Sequence, residues 1–268
     1  MKKLLLFVAV ALAAMVFSTG SAFATDTLAE IQKRGKLRVG MEPGYMPFEL
    51  VNLKGEIIGF DVDMAKRMAK AMNVELELVS TAWDGIIPAL LTDKFDIIMS
   101  GMTVTQQRNL QVNFAQPYIL VGQTILIQQA LENEVKSYKD LNNAKYTVAS
   151  KLGTTGEQAV KRMIPDAKYI SYETEQEGVM ELVNGKIDAF IYDLPSNAIA
   201  VNQKGGGKLI HLDETFTKEP LAWAIRRGDV DFLNLLDNFM AQIKYDGEYD
   251  TIYHKWFVDD AWLKEIQQ

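Results

Sequence analysis

The chemistry-bearing residues of this chain stand where strands give out. In DIIMSGMTVTQQR, residues 96–108, the apolar run Ile97-Ile98-Met99 breaks into small and hydroxyl residues and ends on Arg108. A strand that only fills a core has no need of such an ending, so the stretch reads as delivering Thr103 and Arg108 to an accessible place. KLGTTGE, residues 151–157, follows the strand-like YTVAS and precedes the helical EQAVKRM. Its backbone N–H groups therefore lie at a helix N-terminus, where a carboxylate or phosphate binds. Strand-glycine-helix turns also serve as plain connectors. In IDAFIYDLP, Asp188 and Asp193 bracket a strand, with Asp193 at its carboxyl end, where open α/β sheets bind ligands. Asp193 either receives a cation there or caps the helix that starts at Leu194-Pro195. Tyr45 in EPGYMPFE and Trp83 in STAWDG both fall just after strands. Aromatic residues usually fill cores, but a tryptophan beside Asp84-Gly85 in a strand-to-helix loop favours a cleft.

Other chemistries lack their signals. The two histidines, His211 and His254, stand far apart with no second ligand at metal spacing. The chain has no G-x-S-x-G, no P-loop and no G-x-G-x-x-G, and no cofactor is expected. It contains no cysteine, which excludes both a disulfide framework and a lipid-modified N-terminus.

Helix and strand signals alternate along the chain. LAEIQKRGK is a short amphipathic helix closed by Gly35, and LRVGM a strand. GFDVDMAKRMAKAMN is a helix with Val62, Ala65, Met68, Ala69 and Met72 at helical spacing and basic residues toward its end. VELELVS alternates as a half-buried strand, WDGIIPALLTDK is a helix with Pro88 near its first turn, and FDIIMSG is the next strand. This β-α-β-α-β progression predicts an open α/β sheet. After Pro117 the pattern restarts with the long extended run YILVGQTILIQ, then YTVAS, GEQAVKRMI, KYISY, EQEGVMELVNGK and IDAFIYD, a second α/β unit. GGGK at 205–208 is a flexible turn, LAWAIRRG another strand, and the tail from DFLNLLDNFMAQ onward is helical. That tail is free to return to the first unit.

The N-terminus predicts export. Lys2 and Lys3, an apolar run from Leu4 to Phe17 and the box Ala22-Phe23-Ala24 make a secretory signal with cleavage after Ala24. A membrane-spanning helix is the alternative, interrupted by Ser18, Thr19, Gly20 and Ser21 just before the cleavage box. No later stretch reaches the ~20 apolar residues of a span. The chain carries 28 Lys+Arg and 35 Asp+Glu, net −7, and loss of Lys2 and Lys3 makes this −9. That balance disfavours nucleic acid and anionic membrane surfaces as partners. With 48% hydrophobic residues in 268, the chain has ample core for one large domain or two ordinary ones.

Taken in order, GYMPFE, GFDVDMAKRMAKAM, WDGIIPAL, DIIMSGMTVTQQR, LGTTGE and GKIDAFIYDLP resemble the amino-acid-binding family of bacterial periplasmic solute-binding proteins, the receptors of polar amino-acid ABC transporters. The resemblance covers nearly all of the mature chain. It implies an α/β fold of two lobes joined by two hinge strands, type II-like, with the tail returning to the first lobe. The boundaries become 1–24 for the signal, 25–117 and 222–268 for lobe one, 122–216 for lobe two, and hinges at 118–122 and 217–221. It also implies roles. Arg108 clamps the ligand α-carboxylate, assisted by the Thr103 hydroxyl and by N–H groups around Thr155. Asp193 accepts the α-ammonium together with the Gly101 carbonyl. Tyr45 and Trp83 flank the ligand side chain. The expected partners are an amino acid and the membrane permease of a cognate ABC importer, with the protein monomeric and periplasmic.

Glu42 and Lys151 match positions that reach toward the ligand side chain. A lone carboxylate beside two rings suits arginine or lysine, but Lys151 would repel a basic ligand and Glu42 an acidic one. An amide satisfies both, so the expectation is glutamine first, then arginine and lysine. The alternative is that Glu42 and Lys151 pair with each other, or that Lys151 points to solvent. A rival function is that of the cyclohexadienyl (prephenate/arogenate) dehydratases related to this fold. That chemistry needs a general acid poised in the pocket, and Glu42 is the spare carboxylate. A receptor's ligand-binding domain is a further rival, which would need an anchoring helix.

Overall fold

The structure, a computed structural model, describes residues 26–266. The predicted signal and its cleavage box lie outside the described residues.

Helix α1, Thr27–Arg34, begins where the Asp26 carboxylate accepts the Ala29 N–H and ends at Gly35 in the left-handed conformation. It leads into β1, Lys36–Met41, which pairs in parallel with β4, Glu75–Ser80. Between them come a small hairpin, β2 (Leu50–Val51) with β3 (Ile57–Ile58), and helix α2, Phe60–Ala71. Phe60, Met64, Ala65 and Met68 lie on the buried face of α2, the three- and four-residue spacing of an amphipathic helix. Helix α3, Ile86–Leu91, follows a short 3-10 turn at Trp83–Gly85. Strand β5 is only Ile97–Ile98, and after it the chain runs to a one-turn helix, α4, Gln106–Asn109, and to β6, Asn113–Phe114.

The long run expected at 118–128 is two strands. β7, Ile119–Val121, and β8, Gln123–Gln128, meet at Gly122, where a Cβ would stand 2.5 Å from the Thr217 carbonyl oxygen. A second sheet then forms from β8, β9 (Thr147–Lys151), β10 (Lys168–Tyr172), β11 (Ala189–Asp193) and β12 (Leu209–Leu212), in the order β10-β9-β11-β8-β12. Helices α5 (Thr155–Met163), α6 (Glu175–Val183) and α7 (Leu194–Lys204) connect these strands.

The strand expected at LAWAIRRG is broken in the same way. β13, Glu219–Leu221, pairs antiparallel with β7, while β14, Ala224–Ile225, joins the first sheet between β5 and β6. The first sheet therefore runs β4-β1-β5-β14-β6, and the chain returns to it after completing the second. The tail follows. Helix α8 (Val230–Tyr245) buries Phe232, Leu236 and Phe239 with the first-sheet core, and α9 (Glu248–Tyr253) follows it. Lys255 Nζ and Trp256 Nε1 both donate to Asp63 of α2, at 2.6 and 2.9 Å. The result is a two-lobed α/β fold of the periplasmic binding protein type.

Candidate functional site

Between the lobes lies a narrow, nearly closed cleft, with about 20 Å³ accessible to water. Glu42, Tyr45, Trp83, Gly101, Thr103 and Arg108 line it from the first lobe, and Lys151, Thr155 and Asp193 from the second. Every residue nominated from the sequence is thus in one place.

Arg108 reaches the cleft from α4, whose N-cap Thr105 accepts the Arg108 backbone N–H at 3.1 Å. The guanidinium is buried and donates to the carbonyls of Thr103, at 2.9 Å, and of Gly153 in the other lobe, at 3.2 Å. Its carbon sits 5.1 Å from the Trp83 ring centroid. Burial lowers its pKa to about 10, so it stays cationic at neutral pH. Thr103 Oγ1 and Thr155 Oγ1 approach to 3.4 Å across the cleft. Thr155 opens α5, and Gly153 precedes it with a φ of +73°, which turns the backbone toward Trp83. Trp83 Nε1 in turn donates to the Gly153 carbonyl at 3.1 Å.

Asp193 ends β11 and stands at the start of α7, but its side chain makes no capping bond. It accepts instead from Tyr45 Oη and from Gln123 Nε2, so the capping alternative is not the one adopted. Burial first, then the nearby Glu219 carboxylate, push its pKa up to about 7, while the Tyr45 and Gln123 hydrogen bonds oppose the rise. Tyr45 stacks on Phe48 with centroids 4.6 Å apart and meets Tyr192 edge-on at 5.6 Å. Gly101 has a φ of +49°, and a Cβ there would fall 2.2 Å from Tyr45 Cε1. The strand therefore ends in glycine because the ring needs that space.

Lys151, at the end of β9, does not point to solvent. Its ammonium pairs with Glu42 of the other lobe and lies 5.8 Å from the Trp83 centroid. The ion pair weighed as an alternative is the arrangement present.

Glu49, Ser100, Gln123, Thr154 and Tyr192 also line the cleft, and none was singled out from the sequence. Gln123 had a visible signal: a polar residue just after Gly122 inside an apolar run, here almost fully buried. Glu49 lies within the quoted GYMPFE, where it reads like any other solvated acid. Among the described residues, no cluster of His, Cys, Asp and Glu could hold a metal ion, and no helix is long and apolar enough to cross a membrane.

The fold has two lobes, and its cleft sets a buried cation on one against a buried carboxylate on the other. Residues 37–259 match the bacterial extracellular solute-binding proteins, family 3, and the chain belongs to that family. It is similar to a binding component of an ABC transporter from Wolinella succinogenes, whose structure is a complex with lysine. That likeness has 58% identity and a TM-score of 0.83 over 86% of this chain and 99% of the other. An ancestral amino-acid-binding protein described as a precursor of cyclohexadienyl dehydratase is 47% identical, with a TM-score of 0.82 over 86% and 99%. The ABC transporter arginine-binding protein 1 of Escherichia coli K12 is 32% identical over 225 residues, 83% of this chain and 90% of that one.

Proposed function

We propose that this protein is the periplasmic receptor of an ABC importer and that it takes a polar L-amino acid with a cationic side chain, lysine or arginine, ahead of glutamine. The observation that carries the reading is the placement of Arg108 and Asp193 on opposite lobes of one cleft, with Tyr45 and Trp83 beside them. A zwitterion fits that pair. The guanidinium meets the α-carboxylate through two parallel charge-assisted bonds, with Thr103 and the N-terminus of α5 at Thr155 adding donors. Asp193 and the Gly101 carbonyl take the α-ammonium. A ligand held by both lobes favours the closed form by its preference for it, and the paired strands β7 and β13 serve as the hinge.

The ligand order reverses the one expected from sequence, for a physical reason. Lys151 counted as a free cation there, whereas its pairing with Glu42 removes most of the repulsion toward a basic ligand. Glu42 keeps a second carboxylate oxygen for that ligand, and the rings of Tyr45 and Trp83 favour a cation over an amide. The likeness to a lysine-bound protein and to an arginine-binding one supports the same order. Within this reading the protein acts as an exported monomer that hands its ligand to a membrane permease.

A dehydratase would need a proton donor aimed at its substrate. Of the carboxyls around this cleft with raised pKa values, Glu49 faces Ser100 and Glu175 faces Ser196, while Asp193 is engaged by Tyr45 and Gln123 and takes the α-ammonium. A thermal-shift screen against the twenty amino acids, with prephenate alongside, tests the assignment. Lysine and arginine should give the largest shifts and prephenate should remain unconverted. Glutamine at the head of the series would refute the ligand order, and turnover of prephenate would refute the receptor reading.

A further inference from the structure

Two carboxyl groups behind the cleft hold the backbone that lines it. Glu49 is fully buried, and its Oε1 accepts the Ser100 hydroxyl at 2.6 Å. Asp61, the first acid of α2, is also fully buried, and its Oδ2 accepts the Gly101 backbone N–H at 2.8 Å and the Tyr118 hydroxyl at 3.0 Å. Ser100 Oγ in turn accepts the backbone N–H of Glu42 at 3.1 Å. The two acids thus grip the consecutive residues Ser100 and Gly101 and, through Ser100, the residue that pairs with Lys151.

Each acid has one oxygen left over. Glu49 Oε2 and Asp61 Oδ1 are buried and accept from no N–H or O–H group. Because they hold the consecutive residues Ser100 and Gly101, the two side chains lie side by side. Facing acceptors in a dry site repel unless a proton lies between them, and two adjacent carboxylates cannot both ionise there. Among the described residues, the other titratable groups facing the pair are Glu42, Lys151 and Tyr192 on the cleft side and Tyr118 and Tyr249 behind it. Lys151 is already engaged by Glu42 and cannot neutralise a second carboxylate.

We propose that Glu49 and Asp61 share one proton, with Glu49 Oε2–H donating to Asp61 Oδ1, and that this acid pair positions the Ser100–Gly101 turn against the ligand α-ammonium. Both are positioning residues, since they act through Ser100 and Gly101. The direction of the proton follows from the donors present: Asp61 already accepts from Gly101 and Tyr118, which favours its ionised form, whereas Glu49 accepts from Ser100 alone. Burial and the Asp61 charge likewise raise the Glu49 pKa well above the usual carboxylate range. The pair keeps one negative charge beside the cleft, which suits a ligand of net positive charge. The inference rests on the receptor reading for its ligand but not for its proton.

The test has one arm without ligand and one with it. Infrared spectroscopy of the ligand-free protein at pH 9, where Asp193 and Glu175 have ionised, should show the carbonyl band of a protonated carboxylic acid, and Glu49→Gln should lose that band. In calorimetry with lysine, Glu49→Leu should bind at least tenfold more weakly than the native protein. Glu49→Gln, whose amide N–H again donates toward Asp61, should recover most of that loss. Absence of a band that Glu49→Gln removes, or a Glu49→Gln variant as weak as Glu49→Leu, would overturn the proposal. A native protein that shows the band and binds no amino acid would sustain the shared proton and refute the receptor reading instead.

Discussion

Arg108 gives two of its five N–H groups to carbonyls of the two lobes, which leaves donors for an anion, the partner that its charge still lacks. Replacing it by lysine keeps the charge and removes the planar fork, which costs about 2–4 kcal/mol, or about 30- to 1000-fold in affinity. The variant should remain folded by circular dichroism while calorimetry records that loss; an affinity within a few-fold of native would remove Arg108 from the site. Asp193 makes binding depend on pH. Its carboxyl titrates at about 7 in the ligand-free protein because it is buried, and an α-ammonium favours the ionised form. Affinity should therefore be full above pH ~7 and fall toward tenfold per unit as pH drops below it. The same group acts on folding with the opposite slope. A folded pKa raised above the ~3.9 of the unfolded chain stabilises the protein below that value, and this contribution is lost as pH rises through about 7. Ligand-free Asp193→Asn should thus melt like the native protein at pH 4 and above it at pH 8. A variant that melts lower at both values would mean that Asp193 serves α7 after all. Among single residues, those that end strands were legible in sequence because arginine, threonine and aspartate are conspicuous after apolar runs. Glu49 and Asp61 were not, since nothing local distinguishes a buried acid from a solvated one; their burial is set by β5 and Tyr118, distant in sequence.

Strand β5 shows what an element contributes. Two residues of pairing suffice to anchor it, and the chain beyond it is held by other means: Gly101 N–H on Asp61, Thr103 bridged to Leu221, and α4 turning Arg108 inward. Gly101 is the tight point. Alanine there would adopt a strained left-handed conformation and place its methyl in the Tyr45 ring. Gly101→Ala should lose about 1–3 kcal/mol of stability in urea unfolding, the scale of an overpacked site, and at least tenfold in lysine affinity as Tyr45 is displaced. Native-like values for both would show that Tyr45 moves freely. The alternation of helices and strands was legible because periodicity is local. The breaks at Gly122 and between Leu221 and Ala224 were not legible in periodicity, and only the family resemblance set hinges at 118–122 and 217–221. There the chain leaves the β7–β13 pair for one sheet or the other, a choice made by long-range pairing rather than by propensity.

At the scale of the molecule, the lobes meet through polar contacts: Lys151 with Glu42, Tyr45 with Asp193, Trp83 and Arg108 with the Gly153 carbonyl, and Gln176 with the Gly44 carbonyl. Such contacts are individually weak because each exchanges a bond to water for one within the protein. In the proposed reading, a ligand that joins Arg108 to Asp193 adds to these contacts and favours the closed form. Small-angle scattering should show a smaller radius of gyration when lysine is added to the native protein and no change for Asp193→Asn, whereas equal compaction in both would mean that closure does not need the bridge. The two-unit organisation was legible from the restart of the α/β pattern after Pro117. The Lys151–Glu42 pairing across the cleft stood there only as one of two alternatives, and its presence changes the expected ligand. Calorimetry of the native protein at pH 8 tests the bridge most directly, with L-lysine set against 6-aminohexanoate, which lacks the α-ammonium, and cadaverine, which lacks the carboxylate. Lysine should bind one to one at micromolar concentration or below, and each analogue at least a hundredfold more weakly. An analogue that binds as tightly as lysine would contradict the zwitterion bridge between Arg108 and Asp193.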